Sequence, residues 1–232
     1  MKSRRPKKYA EPARRALKLR HNPKFAGKSR RALALYALAL SLPYPVRFAR
    51  HFMLVVRHKT FVLKYCFYAG IPWRGLMHDW SKFSPTEFLE SVRYFNGKRS
   101  PVGLCREIEG YSLAWLRHKG RNRHHFEFWQ DSVDANGAPL RTPNAICSIP
   151  MPYPFALEMI CDTIAANRAY GGRGFSAQSL YAWWRHRQSR PINMHPTTRK
   201  FCDEIYEQIR AANSPKPLKN AKEIYERAMR EA

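Results

Sequence analysis

Acidic residues are scarce in this chain. Seventeen Asp and Glu stand against 42 Lys and Arg, a net charge of +25 over 232 residues. That imbalance predicts attraction to polyanions such as nucleic acid, nucleotide phosphates or an anionic membrane surface, and is silent about fold. Cysteine is sparse and scattered: Cys66, Cys105, Cys147, Cys161 and Cys202 are odd in number and form no C-x-x-C pair. That pattern argues against a disulfide framework or a thiolate zinc site, and a reducing compartment fits better. Cys66 and Cys161 fall in apolar helical patterns and read as core. No apolar run reaches the roughly 20 residues of a membrane span. The longest, Ala32 to Leu42, ends at Pro43. No strand-length segment alternates and no internal repeat is visible, which leaves an all-α fold.

What is present is a substantial apolar complement, 44% of residues, with many aromatics. A sizeable core is available and global disorder is excluded. The charge is uneven. Residues 1–50 hold fifteen Lys and Arg against one acid, Glu11, more than half of the excess. Residues 1–31 read as a basic, Pro-interrupted arm for phosphate surfaces or nucleic acid. Such a stretch also has the Arg-rich, acid-poor composition of an organelle presequence, the lesser reading beside a cytoplasmic protein. The expected organisation is an arm and short helix over 1–50, a helical domain over 51–212 and a helical extension over 213–232.

The expected helices follow from apolar spacing. Ala32–Leu42 is stopped by Pro43 and Pro45. Arg50–Ala69 places Leu54, His58, Phe61, Val62 and Tyr65 on one face, ending at Gly70. Pro72 to about Lys82 follows. Ser84-Pro85-Thr86-Glu87 then has the form of a capping box before a helix to Phe95. A single helix is expected from about Val102 to His118, and a short one after Asn122 holds His124, His125 and Trp129. Residues 131–152 read as a long loop. Tyr153–Ala169 carries Glu158 and Asp162 four apart, on one side. Helices ending at Gln188 and Ala212, and a charged one at the end of the chain, complete the pattern.

The chemistry-bearing residues are spread over several of these helices. His58 lies on one and the adjacent pair His78-Asp79 on the next. His118 with His124 or His125, and then Asp162, follow. Helical bundles build metal sites from inward-facing His and carboxylates in this manner. Such a donor set suits one or two divalent ions of Mn, Fe, Zn, Co or Ni. Adjacent helix residues point about 100° apart, so one metal takes only one of His124 and His125. Seven-residue spacing from His118, on nearly continuous helices, favours His125. His51, His186 and His195 lack such company and read as ordinary.

The order His58, His78-Asp79, Asp162 resembles the HD-domain superfamily of metal-dependent phosphohydrolases. That superfamily is an all-α fold whose metal is held by a His, a His-Asp pair and a distal Asp. In several of its families a small residue and a Lys follow the pair, as Ser81 and Lys82 do here. Two-metal members add two histidines, which His118 and His124 or His125 resemble. His124-His125-Phe126-Glu127 is similar to the His-His-Glu segment of cyclic-dinucleotide phosphodiesterases, but Phe128-Trp129 stands where their glycine-rich motif would be. The step from His118 to His124 is also short. The segments around His78–Phe88, Ala114–Trp129, Met151–Asp162 and Met194–Arg199 resemble a family of bacterial and phage proteins without an assigned substrate, over about residues 51–212.

The resemblance implies an HD-like helical bundle hydrolysing a phosphate ester of a nucleotide or nucleic acid. Asp79 would bridge two ions. Lys82, Arg117, Lys119, Arg121 or Arg123 would neutralise phosphate charge. Glu158 would act as ligand, as acceptor behind a metal-bound histidine, or as proton shuttle. The alternative is a nucleic-acid-binding or virion-associated structural protein whose metal serves stability.

Overall fold

The computed structural model describes residues 18–131, 146–190 and 192–231. The fold is all-α, as the patterning implies. Among the described residues the strands β1 (Gln130–Asp131) and β2 (Cys147–Ser148) form one two-residue antiparallel pair. Most of the expected 131–152 loop, and residues 1–17 of the basic arm, lie outside the described residues. Contacts group the chain into two compact units: residues 1–55 with 81–118, and residues 56–80 with 119–232. Among the described residues no single helix is long and apolar enough to cross a membrane.

In the first unit, α1 (Arg30–Ser41) starts where the Ser29 hydroxyl accepts from the Ala32 N–H at 3.1 Å, satisfying one of the amides a helix start leaves open. Leu33, Tyr36 and Ala37 face inward at helical spacing. They pack with α4 (Pro85–Tyr94) and α5 (Pro101–Glu109), where Tyr36 stacks on Tyr94 with ring centroids 5.4 Å apart. Phe25, Leu104 and Ile108 complete this core. The next helix, α2, runs over Tyr44–Tyr68 and starts six residues earlier than expected. Pro45 falls in its first turn, where a missing N–H disrupts no bond.

Two other expectations fail here for local reasons. The single helix over 102–118 is two, because Gly110 takes a left-handed cap at φ 90° and ends α5. The next, α6 (Leu113–Arg121), is restarted by Glu90, whose carboxylate accepts from the Leu113 and Ala114 amides at 3.2 Å. Ser84 stands at the cap of α4 without a side-chain bond. Its expected partner Glu87 is buried instead and meets His118 Nδ1 at 2.8 Å and Ser81 Oγ at 3.2 Å. A carboxylate facing an imidazole gains more than one facing a single cap amide, so the capping box does not form.

The second unit is built around α7 (Tyr153–Gly171), whose residues Ala156 to Cys161 are all buried. A helix covered on every side is a central one. The rest of α2 contributes Val62, Tyr65 and Cys66 to its surroundings. Leu180 and Trp184 come from α8 (Ala177–Gln188), and Phe201, Ile205 and Ile209 from α9 (Pro196–Ala212). The last helix, α10 (Ala221–Arg230), buries Ala221, Ile224 and Ala228 in the same core. Trp184 is therefore a packing residue, its indole N–H satisfied by Asp203 at 2.7 Å.

The helix expected from Pro72 to Lys82 stops early. Here α3 covers only Pro72–Met77, His78 is extended at ψ 127°, and Trp80–Phe83 forms a 3-10 turn. Asp79 between them has φ 52°.

Candidate metal centre

Three local features bring the His78-Asp79 pair to its place. The first is Gly75. A Cβ there would lie 2.6 Å from Cys66 Cβ and 2.9 Å from Leu63 Cα, so only glycine lets α3 lie this close to α2. The second is Lys59, next to His58, whose Nζ donates to Leu76 O at 2.8 Å and His78 O at 2.7 Å. A cation on terminal carbonyls ends a helix favourably. The third is the left-handed backbone of Asp79, which short polar residues tolerate best and which turns the carboxylate back toward the helix it has left.

The resulting cluster belongs wholly to the second unit. His58 Nε2 lies 3.0 Å from Asp162 Oδ1. His78 Nε2 lies 3.0 Å from Asp79 Oδ2 and 3.4 Å from Asp162 Oδ1. His124 Nε2 lies 3.4 Å from Asp79 Oδ1 and 3.9 Å from Asp162 Oδ2. Three imidazole Nε2 atoms thus converge on two aspartates. Ligand atoms of His58, His78, Asp79 and Asp162 all fall within 4.8 Å of one another. The His78 side chain is fully buried, and those of Asp79 and His124 are 3% exposed.

Glu158 sits behind the histidines. Its Oε1 lies 3.0 Å from His78 Nδ1 and 3.4 Å from His124 Nδ1, and Arg74 Nε holds its Oε2 at 2.8 Å. This geometry fits an acceptor behind the two histidines, and a Glu158 oxygen also lies within 4.8 Å of ligand atoms of His78 and His124, so its role as a ligand stays open. It fixes which nitrogen of each ring faces the aspartates. His124, like His78, reaches both aspartates. The spacing argument for His125 required a continuous helix, whereas α6 ends at Arg121. The His125 ring lies tilted against that of His124, with centroids 4.2 Å apart, and offers an atom within 4.8 Å of Asp79 and His124.

Charge decides what such a cluster can hold. Asp79, Glu158 and Asp162 bring three carboxylates, and the Arg74 guanidinium pairs with Glu158. Buried charge must be compensated. Within the cluster the histidines and carboxylates compensate one another. Burial pulls the His78 pKa down, but Asp79, Asp162 and Glu158 together hold it well above the usual histidine value. Burial likewise opposes ionisation of Glu158, yet hydrogen bonds from His124 and His78 bring it to about 2. Asp162 is held well below its usual range against the same burial by His58 and His78. The two negative charges left after Arg74 match a divalent cation. The imidazole and carboxylate donors, without thiolate, fit it chemically.

The cluster opens on a cleft of about 300 Å³ lined by His78, Asp79, His124 and Glu158, with Arg74, Arg121 and Arg123 among its walls. Phe155 forms part of the wall, and Arg74 lies over its ring at 4.1 Å. Arg121 and Arg123 are exposed at their side chains, and Lys119 is half-buried beside them in sequence. The remaining expected residues lie in the first unit. Lys82 is half-buried there, Arg117 donates to Thr86 Oγ1 at 2.6 Å, and His118 is buried against Glu87.

Sequence reasoning missed Arg74, Lys59 and Glu87. None carries a local signal, since each acts on a partner fixed only by the fold. His51 and His195 are ordinary, as expected: His51 packs on Phe88 and Phe95, and His195 caps α9.

Residues 47–208 match a family described as of unknown function, DUF5662. The match spans well over half of the chain, which therefore belongs to that family. No curated protein and no solved structure matches it.

Proposed function

Taking membership of that family as the premise, we propose that the chain is a metal-dependent phosphohydrolase or phosphodiesterase acting on a nucleotide or nucleic-acid phosphate ester. One observation carries the reading: the buried donor set shares a cleft with Arg74, Arg121 and Arg123. Convergent cations beside a divalent-metal donor set are what an anionic ester requires. The overall charge of +25 favours the same class of substrate.

When bound, a divalent cation of the Mn, Fe, Zn, Co or Ni group would supply Lewis-acid stabilisation of a phosphoryl oxygen and acidify water. His58, His78, His124, Asp79 and Asp162 would hold it. Asp79, whose two oxygens face different histidines, would be shared between the ions if two were bound. Arg121 and Arg123 bind the phosphate oxygens and neutralise their charge. Glu158 keeps His78 and His124 turned with Nε2 toward the aspartates. Phe155 and the exposed Trp73 offer apolar faces to the organic part of the ester. Lys82, Arg117 and His118 enter the proposal as residues to be tested by substitution. Metal stoichiometry in His118→Ala against the parent chain decides whether His118 supports a second ion.

The deciding experiment joins elemental analysis of the purified chain with hydrolysis of bis(4-nitrophenyl) phosphate by the parent and by Asp79→Asn. The expected result is at least one transition metal per chain and activity that falls by 100-fold or more in the variant, with helical circular dichroism retained. A metal that is present while Asp79→Asn only melts the core would favour the structural alternative. A chain that takes up no metal ends both readings.

A further inference from the structure

The second unit holds another cavity besides the metal cleft. It is a pocket of about 660 Å³ lined by α2, α7, α8, α9 and the turns between them. Its apolar wall comes from Tyr65, Ile164, Phe175, Leu180 and Ile209, and its charged wall from Lys64, Arg168 and Arg173. No Asp or Glu lines it among the described residues, so nothing in the wall neutralises those three charges.

Arg168 is held in readiness. Its Nη1 donates to the Tyr65 hydroxyl at 3.0 Å, and its guanidinium lies over the rings of Phe61 at 5.0 Å and Phe175 at 5.8 Å. All these partners are neutral. A half-buried arginine positioned by aromatic faces keeps its rotamer at little further entropy cost and retains donors for an anion. Arg173 is placed by the turn after α7, where Gly172 takes φ 56° and ψ −123°, a backbone region confined to glycine.

We infer that this pocket binds a phosphorylated small molecule with an apolar or aromatic body, at a site separate from the metal cleft. Three cations in the wall of one pocket suit a dianionic phosphate better than a single carboxylate. The volume and the Tyr65–Phe175–Leu180 wall suit an organic group several times larger than the phosphate itself. The inference does not rest on the hydrolase reading, since none of the pocket residues belongs to the metal cluster.

The test is calorimetric titration of the full chain with phenylphosphonate, which has no ester bond to hydrolyse. Inorganic phosphate and benzyl alcohol serve as the separate halves. The expected result is that phenylphosphonate binds at least tenfold more tightly than either half. Arg168→Met, which retains much of the stem over the rings, weakens that binding tenfold or more, whereas Arg123→Met in the metal cleft leaves this component unchanged. Arg173→Met, on an exposed turn, repeats the test without touching the aromatic stack. Binding unchanged in both Arg168→Met and Arg173→Met overturns the site. Binding no tighter than that of inorganic phosphate overturns the ligand class. Binding lost only with Arg123→Met assigns the probe to the metal cleft and overturns the inference.

Discussion

At the residue scale, the candidate metal centre depends as much on Lys59 as on the residues that could hold the ion. Lys59 donates to the carbonyls on either side of Met77 and lies over the Trp80 ring at 4.4 Å. Lys59→Met keeps a stem for that ring and removes both hydrogen bonds. Two charge-assisted bonds lost put the destabilisation at about 1–3 kcal/mol. Because the bonds fix the turn that aims Asp79, metal affinity in chelator competition is expected to fall by about tenfold or more, the scale seen when supporting partners of a metal ligand are removed. Lys59→Arg should restore part of it. Affinity equal to that of the parent, at whatever melting temperature, would show that the turn holds without the lysine. The clustered His and Asp residues were legible as candidates because His and Asp announce their chemistry by type. Lys59 and Arg74 were not: one acts on backbone carbonyls and the other on a glutamate 84 positions away. Glu87 was misread because its spacing from Ser84 satisfies a local rule that the His118 imidazole overrides.

A second residue-scale consequence concerns His51. Burial, and then the nearby Lys82 charge, lower its pKa to about 4. The unfolded chain, near 6.5, therefore takes up the proton first. The contribution of neutral His51 to stability is full above about pH 6.5 and is lost as pH falls toward 4, on the order of 3 kcal/mol in all. His51→Phe, facing Phe88 and Phe95, should flatten this part of the acid limb. Urea denaturation of both proteins at pH 7 and pH 4.5 measures it. Parallel losses in the two would mean that other groups carry the acid sensitivity.

At the scale of elements, helix existence was readable and helix ends were less so. Apolar spacing identified α1, α2, α4 and α7 because each buries a face regardless of its neighbours. The end of α3, the split at Gly110 and the early start of α2 escaped because Lys59, Glu90 and a first-turn proline set them. The approach of α3 to α2 is the most constrained of these contacts. Gly75→Ala must push against the Leu63 backbone at 2.9 Å, which cannot swing away as a side chain could. Such overpacking costs about 1–3 kcal/mol. It also displaces His78 from His58, whose rings lie 5.8 Å apart. The expected outcome is a lower melting temperature together with weaker metal binding. A variant as stable as the parent would mean that α3 relaxes without cost.

At the scale of the whole molecule, the unbalanced charge sets how any polyanion is met. Residues 1–17 hold seven of the 42 Lys and Arg. The basic arm read from sequence as 1–31 includes Phe25, which is buried, and Ser29, which caps α1. Removing all 31 residues would therefore damage the first unit's core and confuse binding with folding. A cut before Lys18 avoids both residues. If the arm meets phosphates, each contact releases counterions and steepens the fall of affinity with salt by about 0.7 per contact for a single strand. The shortened chain should then bind a single-stranded oligonucleotide more weakly at 50 mM salt and show a shallower log K against log salt slope, while its melting temperature stays within a degree or two of the parent. An unchanged slope would place the phosphate contacts on the folded units, where the arginines of the metal cleft and of the Arg168 pocket are the next positions to neutralise.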